Sequence, residues 1–210
     1  MLSADDIVNL HDRTTHSWHD ATAADPAPSP ADPVASQGWL TLVARQHRAN
    51  FDLWHIEDEA RAPAATDARL ADVKRRVDRA NQLRNDLAEQ LDRALLANLE
   101  DHHLPNPAAP LHSESPGLMI DRLSILALKI FHTRIESERA DAPDGHAERN
   151  LARLAILIEQ RADLAACLDA LWRETLAGAR RFKLYRQLKM YNDPSLNPAI
   201  YSHPPPVSPE

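Results

Sequence analysis

Eighteen residues near the middle of the chain, Ser115-Pro-Gly-Leu-Met-Ile-Asp-Arg-Leu-Ser-Ile-Leu-Ala-Leu-Lys-Ile-Phe-His132, most constrain what it can fold into. Ser115 is a helix N-cap and Pro116 fits the first turn, where a missing N–H costs nothing. At helical spacing Met119, Ile120, Leu123, Leu126, Ala127, Ile130 and Phe131 share one arc, and Ile125 and Leu128 lie opposite. A helix apolar on two sides is wrapped by other helices. Yet this one carries Asp121, Arg122 and Lys129, charges that are costly to bury without partners. Any fold must therefore place this helix centrally and supply partners for its charges.

The rest of the chain reads as helix as well. Only 4 of 210 residues are Gly, Ala, Leu, Arg and Glu abound, and no alternating strand pattern occurs. The expected fold is all-α: an antiparallel bundle of four long helices, with an extra N-terminal helix and a short basic C-terminal helix. The lone Cys167 excludes an intrachain disulfide and any cysteine-based zinc site. No signal-peptide pattern follows Met1, and no apolar run reaches the roughly 20 residues a bilayer span needs. A cytoplasmic location is the expectation.

In chain order, residues 1–24 hold the N-terminal helix, with Trp18 as its contact to the bundle, and 25–36 form an Ala/Pro-rich linker. Residues 37–194 make the bundle domain and 195–210 an extended tail. Within the bundle, helices are expected over about 37–61, 67–102, 116–135 and from about 146 onward, the last with a stripe of Leu151, Leu154, Ile158, Ala165, Leu168 and Trp172. The helical phase drifts after Gly178, so the basic segment 179–191 is a kinked continuation or a separate helix. A homodimer is compatible with such long helices.

Charge is distributed unevenly. The whole chain is −7, whereas residues 175–192 contain Arg180, Arg181, Lys183, Arg186 and Lys189 and no acid. That pattern argues against nucleic-acid binding and for a discrete anion site. Asp58, Arg84, Arg134 and Arg161 interrupt apolar stripes, as Asp121, Arg122 and Lys129 do in the central helix. Helix after helix presenting a charge inward predicts a polar layer or cavity. Its functional reading is a net-cationic pocket for an anionic small molecule; its structural reading is an ion-pair network fixing helix register. His55 and Asp58, one turn apart, are the acid/base candidates. Arg84, Arg122, Lys129, Arg186 and Lys189 would hold the anion. Arg61, Lys74, Asn81, Asn85, Asp121, Arg161 and Tyr185 complete the candidate lining. No metal site is assigned, and no cofactor is specified. Asp52-x-x-His55 and Glu100-x-x-His103 only superficially mimic a di-iron pattern.

The strings LWHIEDEAR (53–61), KRRVDRANQLRND (74–86), SESPGLMIDRLSILALKIFH (113–132), ILIEQRADL (156–164) and RFKLYRQLKMYNDPSLNP (181–198) resemble an uncharacterised bacterial helical family, a domain of unknown function. The resemblance covers nearly everything from about residue 39. It implies no assigned activity, and points only to surface-polysaccharide metabolism. The expected function is binding of, or action on, a nucleotide or sugar phosphate. Two alternatives stand beside it: a non-catalytic scaffold, and a metal-dependent enzyme like the all-α NTP pyrophosphohydrolases, of whose magnesium motif Glu89-Gln-Leu-Asp92 matches one half.

Overall fold

A computed structural model describes residues 2–20, 38–63, 65–188, 195–198 and 202. Five helices make up the fold: α1 (Ala4–Asp20), α2 (Gly38–Ala60), α3 (Asp67–Glu100), α4 (Pro116–Glu138) and α5 (His146–Leu176). No strand occurs among the described residues, and no described helix is long and apolar enough to cross a membrane. The expected linker at 25–36 lies outside the described residues.

As its apolar circumference requires, α4 is central and packs against all four other helices. Met119, Ile120 and Leu123 meet Leu91, Leu95 and Leu99 of α3, Leu164, Leu168 and Leu171 of α5, and Ile7 and Leu10 of α1 in one core. Contacts between Arg84 and Asp121, and between Asp92 and Gly117, show α3 and α4 running antiparallel. By contrast, His47 meets Ser124 and His55 lies near His132, so α2 and α4 run parallel. Trp18 does dock α1, edge-on to Phe51 with ring centroids 5.2 Å apart.

The start of α4 is capped from outside. Ser115 occupies the N-cap without a side-chain cap bond; instead the Gly117 N–H donates to Asp92 Oδ1 at 2.6 Å. A carboxylate at a helix N-terminus complements its dipole, but burial pushes the Asp92 pKa up to about 6. Such an approach needs a residue without a side chain. A Cβ on Gly117 would lie 2.3 Å from the Ala88 carbonyl oxygen and 2.9 Å from the Asp92 carboxyl carbon. Gly117→Ala is therefore expected to push α3 and α4 apart and to destabilise by about 3 kcal/mol, the upper end of ordinary overpacking, measured by urea denaturation.

Two expectations are corrected by the structure. The stripe of α5 is shifted: Asn150, Leu157, Leu164 and Leu171, seven residues apart, are buried together with Leu168 and Trp172, whereas Leu151 and Ile158 are exposed. A 3.5-residue repeat keeps one seam facing a partner helix, as in coiled coils, so a strict 100° projection drifts off it. The basic C-terminal helix is absent among the described residues: 180–188 are non-helical. Gly178, with φ +69°, terminates α5. Its N–H reaches the Thr175 carbonyl at 3.0 Å and that of Ala179 reaches Glu174 at 2.8 Å, the paired bonds of a Schellman stop. Arg181 then bridges to Leu111 in parallel, with its N–H on Pro110 O (3.0 Å) and its carbonyl accepting from His112 (2.7 Å). Phe182 fills the core behind this bridge.

Candidate functional site

The polar layer expected from inward charges is present and centres on Asp121. Arg84 grips its carboxylate with two bonds, Nε to Oδ1 at 2.7 Å and Nη2 to Oδ2 at 2.5 Å. From α2, Gln46 Nε2 (2.6 Å) and Asn50 Nδ2 (3.0 Å) also donate to Oδ1. Asn50 extends the chain to Ser124 Oγ at 2.9 Å, Ser124 to His47 Nδ1 at 2.7 Å, and His47 Nε2 to Thr15 Oγ1 at 2.8 Å. This line of polar groups crosses the bundle from α3 to α1. Gln46, His47, Asn50, Ser124 and Thr15 were not singled out from sequence, since neutral polar residues scattered among apolar ones carry no periodic signal. His11 stacks on His47 at 4.4 Å, buried with neither ring nitrogen hydrogen-bonded. Burial lowers both imidazoles, His47 to about 3.

Above the Arg84–Asp121 pair lies a cleft of about 460 Å³ between α2, α3 and α4, lined by Asn50, Leu53, Trp54, Glu57, Asp58, Arg61, Arg84, Ile125 and Leu128. It gathers three candidates, Asp58, Arg61 and Arg84, over a fourth, Asp121. The cleft is not net-cationic. Arg84 is neutralised by Asp121, and Arg61 faces Glu57 at 3.4 Å and Asp58 at 4.0 Å. Asp58, placed by the helical projection at the centre of the buried face of α2, has 57% of its side chain exposed.

The remaining candidates are dispersed. Arg122 and Lys129 lie on a different side of α4, in a groove of about 660 Å³ toward α5 that also includes His112, Glu114, Asp163 and Cys167. There Arg122 pairs with Glu114 at 2.7 Å. Arg161 ties α5 to α1 through Asp12 at 2.6 Å. Lys74 pairs with Asp78 on the exposed face of α3. Asn81 and Asn85 are half-buried on α3 beside Arg84 but do not enter the cleft lining. Tyr185 and Arg186 are exposed on the non-helical segment, and Lys189 lies outside the described residues. The anion-holding set is thus split among separate surfaces rather than converging on one.

His55 enters an aromatic cluster. It contacts Phe51 (4.5 Å), His19 of α1 (5.1 Å) and His132 of α4 (5.9 Å). Ring nitrogens of His19, His55 and His132 lie within 4.8 Å of one another, the donor set of an imidazole-ligated metal. Trp54 joins this cluster to the cleft: its ring lies flat on His132, 4.6 Å away and 2° from parallel, and also lines the cleft. His19 and His132 escaped sequence reasoning because His132 is the single histidine of α4 and His19 is one of three on α1, with no spacing that marks it out. A signal was nevertheless present. All three histidines directly follow an aromatic residue, in Trp18-His19, Trp54-His55 and Phe131-His132.

These features define a helical-bundle protein with a buried Arg–Asp layer beneath an open amphipathic cleft. The chain belongs to the family described as "Protein of unknown function (DUF4254)", whose model matches residues 40–184. No curated protein and no solved structure matches the chain. The matched region begins within α2, so His11, Asp12, Thr15 and His19 come from outside it.

Proposed function

We propose that the cleft over Arg84–Asp121 binds a sugar phosphate, the substrate class that surface-polysaccharide metabolism would present. One observation carries this reading: the cleft sets the Trp54 ring beside two carboxylates and an exposed guanidinium. An aromatic ring packs against the apolar face of a sugar, and Glu57 and Asp58 can accept its hydroxyl protons. Arg61 is 68% exposed, donates Nη1 to the Glu57 backbone carbonyl at 2.7 Å and stands 3.4 and 4.0 Å from the Glu57 and Asp58 carboxylates; it can exchange that solvent-exposed bond for a phosphate, which a planar fork binds in bidentate fashion. Arg84, its charge matched by Asp121, forms a rigid polar floor to the cleft. Asp58 is the candidate general base, since it stands in the cleft and is only loosely paired.

The pyrophosphohydrolase alternative is less well supported. Glu89 pairs with Arg93 at 2.9 Å and accepts the Gln187 N–H at 3.0 Å. Asp92 is buried against Gly117. Both carboxylates of that half-motif are committed to structure.

Glucose 1-phosphate, glucose and inorganic phosphate, titrated separately in thermal unfolding, test the proposal. A ligand at 100 times its Kd stabilises by about 2.7 kcal/mol, which for a chain of this size raises Tm by about 5–10 °C. Only the sugar phosphate should do so, and Trp54→Ala or Arg61→Ala should abolish the response while leaving a cooperative transition. No shift with any sugar phosphate, or full response in Arg61→Ala, would remove the basis for this reading.

A further inference from the structure

We propose that His19, His55 and His132 form a three-histidine site for a divalent transition metal, with Zn²⁺ as the reference ion. The inference rests on side chains other than those that would hold a sugar phosphate, Trp54 apart. Three imidazoles from three helices converge with their nitrogens within 4.8 Å. Zn–N bonds of about 2.0–2.1 Å in tetrahedral geometry place ligand nitrogens about 3.3–3.4 Å apart. Closing the cluster onto an ion therefore takes at most about 1.5 Å of movement, within the reach of small χ rotations at rings that are half-buried rather than locked in the core.

Hydrogen bonding selects the tautomer a metal needs. His19 Nδ1 donates to the Thr15 carbonyl at 2.7 Å, so its Nε2 carries the lone pair. A ligating histidine anchored by its other nitrogen to a backbone carbonyl is the usual outer-shell arrangement at metal sites. That Nε2, and Nε2 of His132, are buried without a hydrogen-bond partner. Buried polar atoms are ordinarily satisfied, and two orphaned ring nitrogens in one cluster form the strongest indication of an absent ligand. Trp54, stacked parallel on His132, fixes the orientation of that ring.

Electrostatics favours the same state. Burial, followed by the neighbouring imidazoles, lowers the pKa of His132 to about 4, and burial with His19 lowers that of His55. The carboxylates of Asp58 and Glu136 act on His132, and those of Asp58 and Asp52 on His55, so an incoming dication meets negative potential. The opposing charge is Arg48, which also acts on His55. Three protein nitrogens leave a fourth position for water or an external group, the open arrangement of zinc sites that do chemistry. Imidazole donors select Zn²⁺, Co²⁺, Ni²⁺ or Cu²⁺ over Mg²⁺ or Ca²⁺.

Full-length protein stripped with chelator and titrated with Co²⁺ and Zn²⁺ tests this directly. One equivalent should bind, with the visible d–d bands of a low-symmetry Co²⁺ site that Zn²⁺ then displaces, and with no comparable binding of Mg²⁺. His19→Gln, His55→Gln and His132→Gln, checked for helicity by circular dichroism, should each lower affinity at least tenfold, whereas His102→Ala on the distant α3–α4 loop should not. Wild-type protein needs no folding control: failure to take up an equivalent of Zn²⁺ or Co²⁺ overturns the site. Equal binding by the folded glutamine variants overturns it as well. Neither result depends on whether sugar phosphates bind, because the two experiments read different ligands.

Discussion

Asp121→Ala is expected to destabilise the protein by about 3–5 kcal/mol, the usual cost of removing one partner from a buried ion pair. Against the 5–15 kcal/mol that holds a typical domain together, this is a third or more of the stability of an average chain. The magnitude follows from what is left behind. Arg84, with 24% of its side chain exposed, would lose both bonds to the carboxylate, and Gln46 and Asn50 would lose a shared acceptor. Arg84→Ala should cost less than Asp121→Ala, because the two amides continue to solvate the carboxylate. The double substitution Arg84→Met/Asp121→Leu should recover much of the loss, since a well-packed apolar pair avoids desolvation altogether. Urea midpoints for the three variants measure all of this. A cost below about 1 kcal/mol for Asp121→Ala would mean that the layer contributes no more than a surface ion pair.

Acid should unfold the protein sooner than its carboxylates alone would. His11 and His47 are buried and held neutral, and His55 and His132 are also lowered. Their folded pKa values lie below those of the unfolded chain, so below about pH 6.5 the unfolded state binds more protons and stability falls with pH. Each such proton contributes about 1.4 kcal/mol per pH unit. Asp92 opposes the trend. Its raised pKa, about 6, makes the folded state the better proton acceptor between roughly pH 4 and 6. Two fully buried histidines and two half-buried ones, less this one carboxyl, leave a net uptake of about one to three protons on unfolding. Stability should therefore drop by about 1.4–4 kcal/mol per pH unit below pH 6, measured as urea midpoints between pH 7.5 and 4.5. His11→Leu should flatten this slope by about one proton without loss at pH 7.5, because neither of its ring nitrogens is hydrogen-bonded. An unchanged slope in that variant would show that His11 titrates normally in the folded protein.

How legible these features were from sequence depended on the kind of signal each residue leaves. Asp121 and Arg84 stood out because a charge inside an apolar stripe violates a periodic pattern, and they proved to be each other's partners. Arg161 stood out for the same reason, yet its partner Asp12 lies on α1, 149 residues away, and no spacing rule connects them. Arg122 and Lys129 share α4 with Asp121, but their positions around the helix turn them toward α5. Convergence is a tertiary property, and helical projection fixes only the direction in which a side chain leaves its own helix. Gly178 marked the break in phase after α5; its left-handed backbone, which turns the chain back across the α3–α4 loop, decided between a kinked helix and a non-helical strap.

The way α1 is attached has a further consequence. Seventeen residues, 21–37, connect Asp20 to Gly38, so α1 meets the bundle as an intramolecular partner. Contacts too weak to hold a free peptide suffice to keep it engaged. A cut anywhere in that connection would convert docking from a unimolecular equilibrium into a bimolecular one that dilution reverses. Because His19 and Thr15 leave with the helix, dilution of such a nicked protein should dismantle the histidine cluster and the α1 end of the polar chain together, while Arg84 and Asp121, on helices the cut does not touch, remain paired.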